Sequence, residues 1–433
     1  MHVFYASLET RLLKKLLFVT YGGGHARMVC PVVHALNSSD AVTRKQLKIE
    51  VLALPAARHT LQTHGIESLG FGDFLDVDND GDAIRWGRLL AEQHHSSTIG
   101  VDHAESVAYL GLNYKDLVFQ YGETGASELF AKKGRQAFFP VSIMGRIFDQ
   151  LKPDFVVTTN SPRSEAAAIA VANSRGIDNL IMTDLFTGLG GYLLKGKSIT
   201  FLNAFAKNMF LADGLVDESS SQFYCTGNPA FDHISRSSHS KSVAWMNEHF
   251  PHLGGRRVVL HADMPGYWDC IKHCSHFKTE KETVDELEAC YSAVRSNEAF
   301  YLVRPHPSQD RAFYQKWVSQ KEGASLAADC NLHELLANID LLIARTTTVG
   351  LEAALMKRRV LQLDWEFHKD LPLAATGVAW GASGYAHLEK EIQSAFFDHE
   401  KFARIKAQID ASLPCEPAAF KIADIILSKL HFL

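Results

Sequence analysis

The chain has 433 residues, of which 46% are hydrophobic, so it is long and apolar enough to form two packed domains. Its 44 basic and 49 acidic residues give a net charge of −5, which does not favour a nucleic-acid partner. No apolar run reaches the roughly 20 residues of a membrane-spanning helix, and the N-terminus lacks a signal-peptide cleavage site. Seven cysteines, an odd number, suit a reducing cytosol.

Short apolar runs alternate with helical patterns along the chain, which predicts an α/β fold built from βα units with parallel sheets. Most runs are nearly continuous in apolar residues, as expected when helices cover both faces of a sheet. The predicted strands are residues 15–20, 48–53, 154–159, 179–183, 257–261, 299–303, 340–344 and 359–363.

A break in this pattern divides the chain into two halves. A serine-rich run is followed by a helical stretch and then by Pro251, Gly254 and Gly255. We therefore predict two Rossmann-like α/β/α domains, 1–240 and 241–415, with a helical insertion near 72–150 in the first. A last helix, within 416–433, is expected to pack back on the first domain.

Three glycines and a histidine follow the first predicted strand, and a helix comes next. Glycines let the chain turn sharply and let a ligand approach the backbone closely, so Gly23 and Gly24 are candidate substrate-binding residues. His25 is a candidate general base, because imidazole titrates near neutral pH. The alternative is that the glycines only form a turn and His25 caps the helix. The spacing G-x-G-x-x-G is absent, so a nicotinamide cofactor is not expected.

These residues carry the first resemblance to known proteins. The segment 21–25 is similar to the glycine-rich first loop of GT-B glycosyltransferases, including the lipid-linked N-acetylglucosaminyltransferase of peptidoglycan synthesis. The segment 28–36 also resembles the first helix of bacterial UDP-N-acetylglucosamine 2-epimerases, which share the GT-B fold. His25 stands where those epimerases usually have an acidic residue.

The middle of the chain adds candidate residues at two further strand ends. Ser161 and Pro162 have the character of an N-cap and first helical residue, which would place Arg163 beside a bound anion. Asp184 ends the next strand and is a second candidate for acid–base chemistry. The segment 226–229 resembles the G-N-P segment that precedes the crossing to the second domain in GT-B proteins, where its role is structural.

Two segments of the second half predict a nucleotide-sugar site. In the first, prolines fix the backbone around Arg304 and His306, which are candidate phosphate ligands. It resembles the His-Pro motif of bacterial transferases that use CMP-sugars or CDP-glycerol.

The second segment, 345–353, follows a strand and opens a helix, where hydroxyls and backbone N–H groups can hold an anion. It resembles the nucleotide loop of GT-B enzymes, particularly capsule-polysaccharide transferases, in which a small-residue turn holds the phosphates and a glutamate holds the ribose. The resemblance assigns these roles to Thr346, Thr347, Thr348, Gly350 and Glu352. Ordinary turn and capping chemistry is the alternative for both segments.

Together the resemblances imply a GT-B glycosyltransferase with two domains facing each other across a cleft. The first domain would hold a hydroxyl acceptor, which is a glycan, a lipid-linked molecule or a small molecule. The second would hold a nucleotide sugar of the UDP, CMP or CDP type, with no further cofactor. We expect the enzyme to act in the cytoplasm, in the synthesis of a bacterial surface polysaccharide or glycoconjugate. Peripheral contact with the inner face of the membrane is a second option for its location. The alternatives are an enzyme like the 2-epimerases and a non-catalytic protein that binds nucleotide sugars.

No metal is expected from the spacing of the chain's potential ligands. Cys270, His273, Cys274 and His276 lie close together, but no second ligand pair follows at zinc-finger spacing. The acidic pairs within 76–80 have the spacing D-x-D, but they lie in a loop-like stretch.

Overall fold

Two six-stranded parallel sheets organise the computed structural model of the chain. It describes residues 13–94, 101–184, 192–236, 242–264, 279–306, 309–345, 347–363, 372–412 and 417–432. Thr346 and the segment with Cys270, His273, Cys274 and His276 lie outside the described residues. No helix in the described ranges is long and apolar enough to cross a membrane.

The first sheet has the strand order β2-β1-β3-β4-β5-β6, with every neighbouring pair parallel. The direction of winding changes between β1 and β3, and ligands of open α/β sheets bind at such a point, beyond the carboxyl ends of the strands. The strands are β1 (Lys14–Thr20), β2 (Leu47–Ala53), β3 (Phe155–Thr159), β4 (Asp178–Met182), β5 (Ser198–Phe201) and β6 (Gln222–Cys225).

The second sheet has the order β12-β11-β10-β7-β8-β9, again with parallel neighbours, and its winding changes between β7 and β10. This is the strand order of the doubly wound nucleotide-binding fold. The strands are β7 (Val258–Ala262), β8 (Phe300–Arg304), β9 (Ala324–Leu326), β10 (Leu341–Ala344), β11 (Val360–Leu363) and β12 (Trp380–Ala382).

Helices cover both faces of the sheets. In chain order they are α1 (Gly24–Asn37), α2 (Asp40–Thr43), α3 (Pro55–Thr63), α4 (Gly81–His94), α5 (His103–Lys133), α6 (Val141–Leu151), α7 (Ser164–Ser174), α8 (Ala204–Ala212), α9 (Asp232–Arg236), α10 (Val243–His249), α11 (Glu280–Ser296), α12 (Arg311–Val318), α13 (Leu332–Asn338), α14 (Thr348–Leu355), α15 (Leu388–Phe397), α16 (His399–Ser412) and α17 (Ala418–Lys429).

The alternation of side chains along β1 explains why its sequence is continuously apolar. Leu16 and Phe18 pack on one face of the sheet with α1 and α17, whereas Leu17 and Val19 pack on the other face with α5, α6 and α7. Because a strand points successive side chains to opposite faces, two covered faces require an unbroken apolar run. The prediction of two Rossmann-like α/β/α units is confirmed by the two parallel six-stranded sheets with their flanking helices.

Helices α4, α5 and α6 form the helical part of the first half. The backbones of α4 and α5 touch at two glycines: a Cβ on Gly87 would lie 2.1 Å from the Val107 carbonyl oxygen, and one on Gly111 would lie 2.0 Å from that of Ala83. Any larger residue at either position would push the helices apart. This pair packs over the face of the first sheet that α17 leaves free.

Two helix starts differ from the sequence prediction. Helix α1 begins at Gly24, four residues before the predicted start at 28, so His25 is already helical. Helix α7 begins at Ser164 with Arg163 at its N-cap position, so the assignment of Ser161 as the cap is wrong. The physical reason is that Ser161 and Pro162 belong to the turn that follows β3, so the chain becomes helical only at Ser164.

Helix α17 follows the second sheet in the chain but packs against α1 of the first half. Its apolar residues Ile422 and Ile426 are fully buried in the same cluster as Leu16 and Phe18. The carboxylate of Asp232, in α9, accepts hydrogen bonds from the first two backbone N–H groups of α17, Ala418 and Ala419, at 2.7 and 2.8 Å. Residues just after the first sheet thus hold the N-terminus of this helix.

Candidate active site at the interface of two sheets

The loop after β1 and the end of β3 meet where the first sheet changes direction. There His25 Nδ1 lies 2.7 Å from Thr159 Oγ1, and the Thr159 hydroxyl donates to Glu165 Oε1 at 3.3 Å. Because the one hydroxyl proton goes to Glu165, Thr159 accepts the proton of His25 Nδ1–H. This network assigns the lone pair of the neutral imidazole to Nε2.

Asp184 lies on the other side of the His25 ring, with its Oδ2 atom 3.9 Å from Nε2. Two asparagines hold it: Asn160 donates to its Oδ1 at 2.9 Å, and Asn228 donates to its backbone carbonyl at 2.8 Å. The structure therefore brings together the two residues predicted to carry acid–base chemistry, although 159 positions separate them in the numbering.

Arg163 and Glu165 are both buried beside this pair. The Arg163 guanidinium lies 4.4 Å from the centre of the Tyr21 ring, within cation–π range. Burial raises the pKa of Glu165, and the positive charge of Arg163 opposes that rise. Arg163 is thus a buried charge that faces the Tyr21 ring, and its role as an anion ligand stays a prediction.

The structural constraint that favours glycine differs among the three glycines of the first loop. A Cβ on Gly22 would lie 2.7 Å from that of Ala56, so packing excludes any side chain. Gly23 has a φ of 66°, which favours glycine. A Cβ on Gly24 would meet no atom within 4 Å, so the protein's own packing does not require glycine there. A Cβ on Gly23 would also meet no atom within 4 Å, so space for a ligand remains at both Gly23 and Gly24.

In the second half, Glu352 of α14 is held by a histidine. His333 Nε2 lies 2.7 Å from Glu352 Oε2, and His333 Nδ1 lies 3.5 Å from Nε2 of His233 in α9. Burial lowers the pKa of His233, and the neighbouring His333 lowers it further, which favours the neutral ring. The predicted ribose ligand is therefore fixed in orientation by a residue from α13.

Arg304 ends β8 and uses one guanidinium nitrogen to hold the neighbouring loop. Its Nη1 atom donates to the carbonyl oxygens of Ala327 and Cys330, both at 2.9 Å. Burial lowers the pKa of both Arg304 and His306. His306 is thus favoured in its neutral form, whereas the guanidinium stays charged because its ordinary pKa is far above neutrality.

The residues of the predicted nucleotide loop begin α14. The Thr347 hydroxyl caps this helix by accepting from Val349 N–H at 3.3 Å, and Thr348 is its first residue. A Cβ on Gly350 would lie 2.8 Å from Leu373 Cδ1, so packing against that side chain accounts for this glycine. Thr347 and Gly350 thus have structural roles, and the prediction of phosphate binding stays a prediction.

A cavity of about 980 Å³ lies between the two halves and contains Arg304 and Glu352. Helix α1 contributes one wall and α13 another, while α17 contributes Phe420, half of whose surface is exposed. His25 is not among the described residues that line it. The lining comprises Arg27, Pro31, His34, Ala35, Ser38, His64, Pro229, Ala230, Asp232, His233, Arg304, Cys330, Asn331, Leu332, His333, Glu352, Ala419 and Phe420.

The sequence analysis did not predict several residues of the site. Thr159 had one signal, since it is a polar residue at the end of an apolar strand. His233 and His333 had none, because 100 residues separate them and neither belongs to a motif. Only the folded chain shows that they meet beside Glu352.

Comparison with known proteins establishes the fold. No protein-family model and no curated protein matches the sequence. Among solved structures, Staphylococcus aureus MnaA, solved with UDP, matches with a TM-score of 0.58 and 14% identity, over 97% of this chain and 98% of that one. The UDP-N-acetylglucosamine 2-epimerase of Neisseria meningitidis, bound to UDP-N-acetylglucosamine, gives 0.58 and 12%, over 96% and 99%. A Rickettsia africae glycosyltransferase gives 0.54 and 11%, over 96% and 98%. The chain thus shares the GT-B fold with these proteins.

Proposed function

We propose that this protein is a glycosyltransferase that transfers a sugar from a nucleotide sugar to a hydroxyl acceptor. The observation that carries the proposal is the hydrogen-bond chain from Glu165 through Thr159 to His25, which leaves Nε2 able to accept a proton. A general base at the strand end of the first sheet is what activation of an acceptor hydroxyl requires. The first half, 1–240, would hold the acceptor, and the second, 241–415, would hold the nucleotide sugar.

The proposed reaction needs one proton acceptor and stabilisation of one leaving group. His25 Nε2 takes the acceptor proton as the acceptor oxygen bonds to the anomeric carbon, and the bond from that carbon to the phosphate oxygen breaks. The charge that develops on the departing phosphate would be stabilised by Arg304 and by the N-terminus of α14. Glu352 would accept hydrogen bonds from the ribose hydroxyls. The proposed chemistry uses no cofactor besides the nucleotide sugar.

A nucleotide-sugar 2-epimerase is the second candidate. It is favoured by the two carboxylates that the structure places around His25, because Asp184 lies on one side of the ring and Glu165 is linked to the other through Thr159. Such groups could remove and return a proton at a sugar carbon. UDP is the first nucleotide to test, since three of the matching structures were solved with UDP or a UDP-sugar.

One experiment distinguishes the candidates. The protein is incubated with radiolabelled UDP-, CMP- and CDP-linked substrates, with and without a mixture of glycan, lipid-linked and small hydroxyl acceptors. Glycosyl transfer requires the acceptor and releases the nucleotide, whereas epimerisation proceeds without acceptor and keeps the sugar attached. A rise in melting temperature with one nucleotide but no product in any mixture would contradict both and indicate a protein that only binds.

The setting of the reaction is part of the same proposal. A transferase of this kind would work in the cytoplasm on surface polysaccharide or glycoconjugate precursors, and a lipid-linked acceptor would bring it to the inner face of the membrane. Sedimentation with vesicles that contain the acceptor lipid, compared with vesicles that lack it, tests the membrane contact.

A further inference from the structure

A histidine and two carboxylates meet inside the second half, where the winding of its sheet changes direction. His261 and Asp263 lie at the end of β7, and Glu286 projects from α11. One potential ligand atom from each residue lies within 4.8 Å of the others. His261 and Glu286 are fully buried and Asp263 is almost so, and none of the three has a part in the proposed reaction.

His261 is oriented so that one ring nitrogen points into this cluster. Its Nδ1 atom lies 2.6 Å from the Tyr301 hydroxyl, and its Nε2 atom makes no hydrogen bond although it is completely buried. Nε2 lies 3.4 Å from Glu286 Oε1. Because Nε2 donates no hydrogen bond to this nearby carboxylate oxygen, a cation bound between the two atoms would satisfy both.

The separation of these two atoms suits a shared metal ion. Ligands about 2.05 Å from a tetrahedral zinc ion lie about 3.3 Å from each other. The distance of 3.4 Å between His261 Nε2 and Glu286 Oε1 is therefore close to one edge of such a tetrahedron. The Asp263 carboxylate is the third candidate ligand, since one of its oxygens lies within 4.8 Å of the other two atoms.

The surroundings hold each ligand in place, as neighbours of metal ligands commonly do. The Asp263 carboxylate accepts from the Tyr314 hydroxyl at 2.5 Å. The second oxygen of Glu286 accepts from Arg345 Nε at 2.5 Å and also pairs with its Nη2. Two carboxylates and one guanidinium leave a net negative charge in a buried place, which a bound cation would compensate.

We propose that His261, Asp263 and Glu286 supply three of the four ligands of a bound zinc ion. The ion would connect the end of β7 to α11. Because Glu286 pairs with Arg345, which directly follows β10, it would also hold the end of β10. The burial of all three side chains keeps this ion from substrate, so its role is to fix the strand ends that carry the predicted nucleotide site. Imidazole and carboxylate together suit zinc better than magnesium, which prefers oxygen ligands alone.

The test measures zinc directly. The full-length protein is stripped with a chelator and titrated with ZnCl₂, with bound metal measured by mass spectrometry and affinity by calorimetry. We expect one zinc per chain and a higher melting temperature with zinc than without. Tyr301→Phe keeps the ring but removes the bond that orients His261, so it should weaken zinc binding by about 10–100-fold while the protein stays folded. His261→Asn, whose side chain can still reach Tyr301, should abolish the binding.

Two controls locate the ion. His249→Asn removes an exposed histidine from α10 and should leave one zinc per chain. The double variant Cys270→Ser with Cys274→Ser should also retain it. Loss of zinc in that double variant, zinc retained by His261→Asn, or no stoichiometric zinc in the unmodified protein would each overturn the proposal.

Discussion

The position of one proton decides what His25 can do. The Thr159 hydroxyl accepts from Nδ1 and passes its own proton to Glu165, so Nε2 keeps its lone pair without needing a directly bonded carboxylate. Thr159 and Glu165 are both buried, which shields this chain from competing water. Thr159, which would not touch the substrate, would in this way determine the reactivity of His25, which would.

Removing the imidazole should lower turnover and leave the nucleotide site intact. We expect His25→Ala to reduce kcat by about 100- to 10,000-fold, the usual contribution of a general base. Thr159→Val keeps the shape of threonine but cannot accept from Nδ1, so it should also reduce kcat, and Thr159→Ser should restore it. Steady-state kinetics and nucleotide calorimetry measure both effects. Normal turnover in His25→Ala would end its assignment as the base.

Glu352 should matter for binding rather than for turnover at saturation. Glu352→Ala removes a charged acceptor, which is worth about 1.5–3 kcal/mol in a hydrogen bond to a ribose hydroxyl. Calorimetry with the preferred nucleotide measures the loss. Glu334→Gln, an exposed change on α13, is the matched control and should have no effect. Equal affinity of Glu352→Ala and the control would exclude Glu352 as the ribose ligand.

At the scale of elements, one buried carboxylate pins the helical part of the first half. Asp80, just before α4, accepts from Lys115 of α5 and from Arg146 of α6, both at 2.8 Å. Burial raises the pKa of Asp80, but hydrogen bonds from Arg146 and Lys115 outweigh burial and lower it to about 2. The ionised carboxylate thus links the start of α4 to Lys115 of α5 and Arg146 of α6, which lie 35 and 66 residues further along the chain.

This arrangement predicts a stability that depends on pH. Because the pKa of Asp80 is lower in the folded chain than its ordinary value of about 4, ionised Asp80 stabilises the fold above that value by about 2 kcal/mol. The contribution should disappear as the pH falls from about 4 to about 2. Urea unfolding measures the free energy of unfolding of the wild type and of Asp80→Asn. The difference between the two free energies should become smaller as the pH is lowered. A difference independent of pH would contradict this, and the exposed variant Asp82→Asn serves as control.

The elements themselves were predictable to different extents. Long apolar runs such as β1 and β3 were found because both faces of the sheet are covered. Strands β5, β6, β9 and β12 were not predicted, since they have only three or four residues and no continuous apolar run. The site followed the same rule: His25 and Asp184 stand at strand ends and were predicted, whereas their buried partner Thr159 and the histidines beside Glu352 depend on contacts between distant segments.

The metal cluster illustrates a further limit of the sequence. Spacing between ligands was the only available signal, and His261 and Glu286 are separated by a whole helical connection rather than by a short motif. The structure brings them together because β7 ends where α11 packs against the second sheet.

At the scale of the whole molecule, α17 links the two halves of the chain. The N-terminus of this helix depends on Asp232, which accepts from two of its backbone N–H groups. Asp232→Ala should therefore lower the free energy of unfolding by about 0.5–2 kcal/mol, the usual cost of losing a helix cap. Asp424→Ala, an exposed change on the same helix, is the matched control. An unchanged unfolding midpoint in Asp232→Ala would show that packing on α1 suffices to hold the helix.

The return of α17 to α1 also sets an order for folding on the ribosome. The face of α1 that packs on α17 remains uncovered until the second sheet and then α17 have been synthesised, because Ile422 and Ile426 complete that cluster. The half that leaves the ribosome first is therefore the half that is finished last. A nascent chain stopped before α17 would expose apolar surface and should be bound by chaperones, however well the second sheet has already folded.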